Sequence, residues 1–590
     1  MYTIKTVRLL NKEVFYIKEI NNYFVDMHHT VNINDDELRM NGDELRKIIS
    51  KALATDKCQN LISILDKKES NRNFTKPAYE ANSERYTLNL HPSRKCNLSC
   101  KYCFKDVDYL TSDKLSIEVA QKAIDFLVDN YGANAKEYFI DLSGSGEPLL
   151  NFELIKQIAD YASIKRNETG KEITICFCNN GTLIDDEKAA YLINAYRFLL
   201  GISIDGNKKH NVNRLYSNGK DTFEDIIKGI NALSDVRVGY AITITHENEA
   251  VDEIYDFIYG FSNCDAISMM VVRDYSNDNH SFYKINVENL IKHYEILCQN
   301  IIKHINAGDY EYLFKILKGA DTFGNYINKI MMKGLLNSFR CDGGYNRISV
   351  DNNGIIYSCP VMNGCDEFII GNLCNGVNME KVQGLNKFVD DVTPECKECW
   401  AAYICSGPCN AQSFYTTGKI NMVDKKLCHY KKSLIALAIA FVCELENNKV
   451  IDFSKIQRFV ASIRNFTEAN YAVWALFWLF KHRSMEMKFE DIASTLSQDE
   501  FGVSISEVEK YIRQLNNELD IYIVEDINSY SEVMYPAIAY INKAKTTVYT
   551  YCMLLGEHEE NLEVKRLDYN ESIFISKDTF METYSDIIIF

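Results

Sequence analysis

Proline is scarce in this chain of 590 residues, with seven in all, and tryptophan is scarcer at three. That excludes collagen-like and proline-rich linker architectures. Long apolar runs are missing too. The longest, 434–443 and 471–480, span ten residues each, against the roughly 17–25 a membrane-crossing helix needs. Basic charge is also short: 65 Lys and Arg against 82 Asp and Glu leave a net charge of −17, which argues against electrostatic nucleic-acid binding. The first twelve residues mix charges among apolar side chains, unlike a signal peptide. A cytoplasmic protein is expected, with no membrane and no nucleic-acid partner. A content of 46% hydrophobic and 25% charged residues suits three or four globular domains of about 150 residues each. Against these shortages stands cysteine, with 19 residues. Without an export signal, so many thiols point to metal or catalysis rather than disulfides.

The pattern along the chain predicts a partial (β/α)6 barrel over 84–330. Strand candidates at 86–90, 138–142, 173–178, 198–204, 236–245 and 266–272 alternate with amphipathic stretches. One such stretch follows Ser116, a helix-capping residue, carries Ile117, Ala120, Ala123, Ile124, Leu127 and Val128 at helical spacing, and stops at Gly132. Repeated strand–helix alternation means a parallel sheet, whose chemistry gathers at the C-terminal strand ends. A small α+β unit is expected over 1–83, a loop-rich cysteine domain over 331–443 and a second small α+β domain over 444–590.

The first of those strand ends carries Cys96-Asn97-Leu98-Ser99-Cys100-Lys101-Tyr102-Cys103-Phe104. Three thiolates spaced C-x3-C-x2-C can wrap one cubane cluster and leave its fourth iron open. A zinc knuckle would want a fourth ligand, and none is near. Gly144-Ser145-Gly146-Glu147-Pro148 follows the second strand. Its glycines admit close backbone approach, and its carboxylate suits an ammonium group. Asn179-Asn180-Gly181-Thr182 closes the third strand and Ser203-Ile204-Asp205-Gly206 the fourth, with Arg214 eleven residues after Ser203. A hydroxyl and a guanidinium suit a carboxylate. Each of these taken singly reads equally well as an ordinary turn or a solvated charge.

Together, in order on successive strands, these motifs resemble radical SAM enzymes. The resemblance implies a [4Fe-4S] cluster on Cys96, Cys100 and Cys103. It implies S-adenosylmethionine held by Phe104, Gly144, Gly146, Glu147, Asn180, Ser203 and Arg214, and reductive cleavage to a 5′-deoxyadenosyl radical. Ser145 departs from the family's usual second consecutive glycine.

Downstream run Cys341-x12-Gly354-x4-Cys359, then Cys396-x2-Cys399-x5-Cys405-x3-Cys409, then Cys428. One or two zinc ribbons are the competing reading. The order and gaps resemble the SPASM domain that follows many radical SAM barrels. That resemblance implies two auxiliary [4Fe-4S] clusters, one on Cys396, Cys399, Cys405 and Cys428, the other on Cys341, Cys359 and Cys409. Seven ligands serve two clusters that would close with eight. Either Cys365 or Cys374 supplies the eighth, or the site is open to a substrate group such as a peptide thiolate. In sulfatase-maturing relatives an Asp base follows the cysteine equivalent to Cys359; here Pro360 stands there and accepts no proton. Cys176 and Cys178, i and i+2 on one strand, are expected as small buried side chains.

The expected activity is that of a peptide maturase which abstracts hydrogen from a ribosomally made precursor and installs a cross-link, plausibly a cysteine thioether. Its partners would be a precursor peptide with its leader and an electron donor such as flavodoxin or ferredoxin. The alternatives are side-chain oxidation of the sulfatase-maturase type, or a non-catalytic iron–sulfur redox-responsive binding protein. The N-terminal unit resembles the winged-helix-like peptide-recognition element of peptide-modifying enzymes, whose edge strand takes an added strand. The stretch 489–518 has helix-turn-helix spacing. The acidic balance turns that away from DNA, toward docking of a partner or substrate.

Overall fold

The computed structural model describes residues 2–464 apart from 26–35, 54–58, 67–84, 104–114, 274–281, 332–340 and shorter gaps. Beyond 464 it describes six strands and isolated helical positions. Two compact units emerge, 1–193 with 198–451, and 452–590 with 194–197.

In the first unit, β1 (Tyr2–Leu9), β2 (Lys12–Ile17), β3 (Asn22–Val25) and β4 (Glu37–Met40) form an antiparallel sheet in the order β3-β2-β1-β4. Helix Gly42–Ala52 follows. Its start is fixed by Asn41, whose side chain accepts from the Glu44 amide while Glu44 accepts in return. Leu45 and Ile49 of this helix bury against Ile4, Phe15 and Phe24. The sheet is fastened to the cysteine-rich segment. Lys18 Nζ donates to the Lys397 carbonyl at 2.7 Å, and the Tyr16 ring meets Trp400 edge-on.

The barrel strands are β5 (Arg85–Asn89), β6 (Glu137–Asp141), β7 (Glu172–Asn179), β8 (Phe198–Ser203), β9 (Val238–Ile244) and β10 (Cys264–Val271). They lie side by side in chain order, all parallel. Each matches its expected segment to within two residues at either end. Helices Ile117–Asp125, Phe152–Thr169, Asp186–Asn194, Phe223–Ala232 and Val251–Tyr259 connect them. Ser116 caps the first, accepting from the Val119 amide. A π-helical turn, Phe126–Tyr131, then ends at Gly132, where an added Cβ would stand 3.0 Å from both the Leu127 carbonyl and the Tyr86 ring. The strands alternate. On β9, Val238, Tyr240, Ile242 and Ile244 are buried toward the helices, while Gly239, Ala241 and Thr243 face the other way.

The barrel sheet continues into the cysteine-rich segment. β11 (Arg347–Val350) pairs in parallel with β5, and β12 (Ile355–Tyr357), β13 (Ile369–Asn372) and β14 (Gly376–Val377) follow as an antiparallel meander. One ten-stranded sheet therefore joins the C-terminal end of the first barrel strand to the loop that carries Cys359. Helix Lys425–Asn447, capped by Asp424, ends this unit with its apolar stretch buried.

The second unit holds an antiparallel sheet of β15 (Ile523–Val524), β16 (Ala537–Ile541), β17 (Thr550–His558), β18 (Asn561–Arg566), β19 (Ile573–Ser576) and β20 (Ile588–Ile589), ordered β15-β20-β16-β17-β18-β19. The helices expected at 469–482, 489–496 and 506–518 lie almost wholly outside the described residues. No helix among the described residues is long and apolar enough to cross a membrane.

Candidate active site

The loop after β5 is shaped by the turn after β6. An added Cβ on Gly146 (φ +66°) would lie 2.3 Å from the Ser93 carbonyl and 2.7 Å from the Lys95 carbonyl, so only glycine lets the two segments touch. The Glu147 amide then donates to the Lys95 carbonyl at 2.8 Å. Cys96, Cys100 and Cys103 are half-buried in that loop. Burial pushes the Cys100 thiol up to about 11, opposed by Arg214, with Cys103, Asp205 and Cys96 adding to the rise. Those groups therefore surround it.

The strand ends supply the rest. Glu147, 2% exposed, accepts from the Leu149 amide at 3.0 Å and the Asn180 amide at 2.8 Å. Burial raises its pKa to about 7, against the pull of these N–H donors and of Arg214. Asn180 Nδ2 donates to Asn97 at 2.8 Å, tying the third strand end to the cysteine loop. Ser203 Oγ lies 3.2 Å from Cys178 Sγ. Arg214 donates to the Tyr102 hydroxyl at 2.9 Å, and Tyr102 donates to Asp205 at 2.7 Å. The structure thus brings Cys96, Cys100, Cys103, Gly144, Gly146, Glu147, Asn180, Ser203 and Arg214 to one end of the barrel. Phe104 lies outside the described residues.

Four groups around this site were not singled out as site residues by sequence. Tyr102 and Asp205 were visible only as neighbours inside motifs. Cys178 lines the site beside Ser203, more than the simple packing residue expected of it. His91 gave no signal. Several buried polar atoms lack partners here: Ser145 Oγ, Arg214 Nε, Asn89 Oδ1 and both ring nitrogens of His91. Buried polar atoms are rarely orphaned unless a ligand or water completes them.

The seven downstream thiols fall into two sets. Burial, then Cys409 and Cys341, push the Cys359 thiol up to about 12. The Cys341 Sγ lies 3.4 Å from where a Gly343 Cβ would stand, beside the Ser358 carbonyl. Burial, then Cys405, raise Cys428 to about 11, and Cys396 adds to it; Cys399 feels Cys405 and Cys396. Cys365 belongs to the buried cluster against which Cys359 and Cys409 pack, and its thiol donates to Glu367 Oε2 at 3.0 Å. Cys374 is exposed on the β13–β14 turn. No three His, Cys, Asp or Glu among the described residues are gathered as a single metal ion would need. Zinc binds its ligands within roughly 2.0–2.3 Å, whereas a cubane puts each thiolate on a different iron and spreads them.

Residues 90–258 match the Radical SAM superfamily. An uncharacterized protein of Methanocaldococcus jannaschii is 30% identical over 276 residues, 42% of this chain and 90% of its own length. The chain belongs to the radical SAM superfamily. A radical SAM cyclopropyl synthase, TigE of Paramaledivibacter caminithermalis, is 25% identical over 59% of this radical SAM chain and 72% of its own. A cysteine-type anaerobic sulfatase-maturating enzyme of Clostridium perfringens is 25% identical over 54% of this chain and 86% of its own. The solved structure of anSMEcpe with bound AdoMet shares the fold at a TM-score of 0.51 and 21% identity, over 62% of this chain and all of that one. Outside the barrel, residues 460–590 match the Peptidase C39 family, a likeness the sequence reading had not drawn.

This radical SAM protein is therefore an enzyme, and its family works with S-adenosylmethionine and a [4Fe-4S] cluster. Its residues fit both. Among the described residues three thiols converge on the loop, a buried carboxylate faces the site, and a buried guanidinium keeps Nε unpaired.

Proposed function

We propose that the enzyme matures a ribosomally made precursor peptide, forming a cross-link between a cysteine sulfur and a carbon. The observation that carries this reading is the set of Cys341, Cys359 and Cys409 next to β11, the strand paired with β5, where the neighbouring thiol of Cys365 is engaged with Glu367. Such an auxiliary [4Fe-4S] cluster would keep one iron free for a substrate thiolate. Cys396, Cys399, Cys405 and Cys428 would close the second cluster.

Within the barrel, Glu147 would hold the cofactor's ammonium group, and Ser203 with Arg214 its carboxylate. Asn180 and the glycines of the 144–146 turn would shape the pocket, and Tyr102 and Asp205 would hold Arg214 in place. The bound cofactors supply a hydrogen-abstracting radical. In the net reaction the peptide loses two hydrogens, one to 5′-deoxyadenosine and one as the thiol proton, and one electron remains for an auxiliary cluster.

The peptidase-family likeness of 460–590 supports a polypeptide substrate, since a peptidase site has to seat an extended chain. This region contains one cysteine, Cys552, and two histidines, His482 and His558. Cys552 stands mid-strand in β17, opposite Ala539 and Arg566. His558 lies six residues along the same strand, about 20 Å away at roughly 3.4 Å per residue. His482 lies outside the described residues. We read the region as holding the precursor without cutting it.

Sulfatase-type oxidation is the second reading, favoured by the likeness to the Clostridium perfringens enzyme. Pro360 in place of the acidic base weighs against it.

The test uses full-length enzyme, purified and reconstituted without oxygen, with a synthetic cysteine-containing peptide. Mass spectrometry should show a peptide two mass units lighter and short of one free thiol, with its chain uncut. A cleaved chain, lost on Cys552→Ala, would contradict the docking reading. A peptide unchanged while S-adenosylmethionine is cleaved would contradict the maturase reading.

A further inference from the structure

One buried imidazole at the barrel mouth has no part in the cofactor contacts above. His91 stands two residues beyond β5. Leu88 and Leu90 are wholly buried on the helix side, so the alternation turns Asn89 and His91 toward the interior. Asn89 Nδ2 indeed donates to Asp141 on the next strand at 2.8 Å. His91 is 5% exposed, and neither ring nitrogen has a partner in hydrogen-bond geometry. The Ser143 carbonyl lies close by but outside that geometry. Burial, and after it Arg94, push the imidazole down to about 3. The ring is therefore neutral at working pH and offers one N–H and one lone pair.

Its position is specific. A Cβ added to Gly144 (φ +117°) would come within 3.0 Å of His91 Nε2 and 3.5 Å of Pro360 Cβ. Glycine at 144 thus packs its bare Cα against a fully buried Nε2, and the ring, the turn and Pro360 meet at one place. Pro360 follows Cys359 of the open thiol set, and Gly144 opens the turn that ends at Glu147. His91 stands between the two.

We propose that His91 is a substrate-binding residue whose ring holds a main-chain amide of the peptide between the radical site and the Cys341–Cys359–Cys409 set. The proposal rests on the peptide-maturase reading above. A peptide unit offers an N–H on one edge and a C=O on the other, and a neutral imidazole can take either, the N–H with its lone pair or the C=O with its own N–H. The charged ends of S-adenosylmethionine call for the opposite charges of Glu147 and Arg214, and an uncharged ring adds little to either. Asn89 Oδ1, also unpartnered, extends the same polar wall.

His91→Phe removes both polar atoms, and His91→Gln keeps a donor and an acceptor. Each is compared with wild type as reconstituted full-length enzyme, after iron content and circular dichroism are matched. Should His91→Phe lose iron, His91→Leu is read in its place. The peptide is the synthetic one named above. His91→Phe should raise its KM about threefold to tenfold with kcat little changed, and His91→Gln should restore most of the loss. The dissociation constant of S-adenosylmethionine, measured by equilibrium dialysis, should stay the same in all three. A tenfold weaker cofactor affinity in His91→Phe would overturn the proposal, because the ring would then serve the cofactor. An unchanged peptide KM would overturn it while leaving the maturase reading intact. Wild-type enzyme that cleaves S-adenosylmethionine yet never alters the peptide would overturn both.

Discussion

Glu147 shows how a single buried carboxylate couples the site to pH. Burial holds its pKa at about 7 against the ordinary 4.5, although the amides of Leu149 and Asn180 and the charge of Arg214 work the other way. Between those two values the folded chain keeps a proton that the unfolded chain releases, so this group's contribution to stability falls as pH rises through the window. Cofactor binding runs in the opposite sense, because an ammonium group wants the carboxylate. Affinity for S-adenosylmethionine should drop as pH is lowered below 7, by up to about tenfold per unit, when followed by equilibrium dialysis from pH 8 to 5.5. Glu147→Gln should bind weakly at every pH. A flat profile in wild type would assign the ammonium to another group. Glu147 was legible in the sequence because its motif is local. His91, Tyr102 and Cys178 were not, because their roles depend on which strand ends the barrel brings together. A buried imidazole without partners has no sequence signature.

The six barrel strands were legible as elements because each is a short apolar run bounded by polar turns, and the helices between them carry clear periodicity. The pairing of β11 with β5 was not legible. Four residues separated from their partner strand by more than 250 others leave no periodic trace. Turn geometry is where an element-level prediction bites. Gly146→Ala would force a Cβ to within 2.3 Å of the Ser93 carbonyl at a φ of +66°. It should cost about 1–3 kcal/mol of stability in urea denaturation, together with the cluster held by Cys96, Cys100 and Cys103. Gly219→Ala has a similar φ of +80° with nothing within 4 Å. It should cost about 1 kcal/mol at most and keep its iron. Equal losses in both would show that backbone angle alone, not contact with the cysteine loop, decides. On the meander, Cys365 is engaged with Glu367 and Cys374 sits on the exposed turn. Cys365→Ala and Cys374→Ala should therefore leave iron content unchanged. Loss of about four iron atoms from either variant would identify the missing eighth ligand and close the auxiliary site.

At the scale of the whole molecule, composition separated what the chain is from what it is not, and the cysteine spacing pointed to the chemistry. The C-terminal unit was the least legible part. Its likeness to a peptidase family is spread over 131 residues, with no thiol ahead of Cys552 in that stretch to flag it. In the function proposed above, radical chemistry in the barrel, a thiol set open to substrate and a peptidase-like region would act together to seat a peptide and cross-link it. The most direct measurement supplies the synthetic precursor with deuterium on its carbon-bound positions to the reduced, reconstituted enzyme and S-adenosylmethionine, and weighs both products. The account predicts one deuterium in 5′-deoxyadenosine for each peptide that loses its thiol and gains a cross-link. Unlabelled 5′-deoxyadenosine beside an unchanged peptide would contradict it.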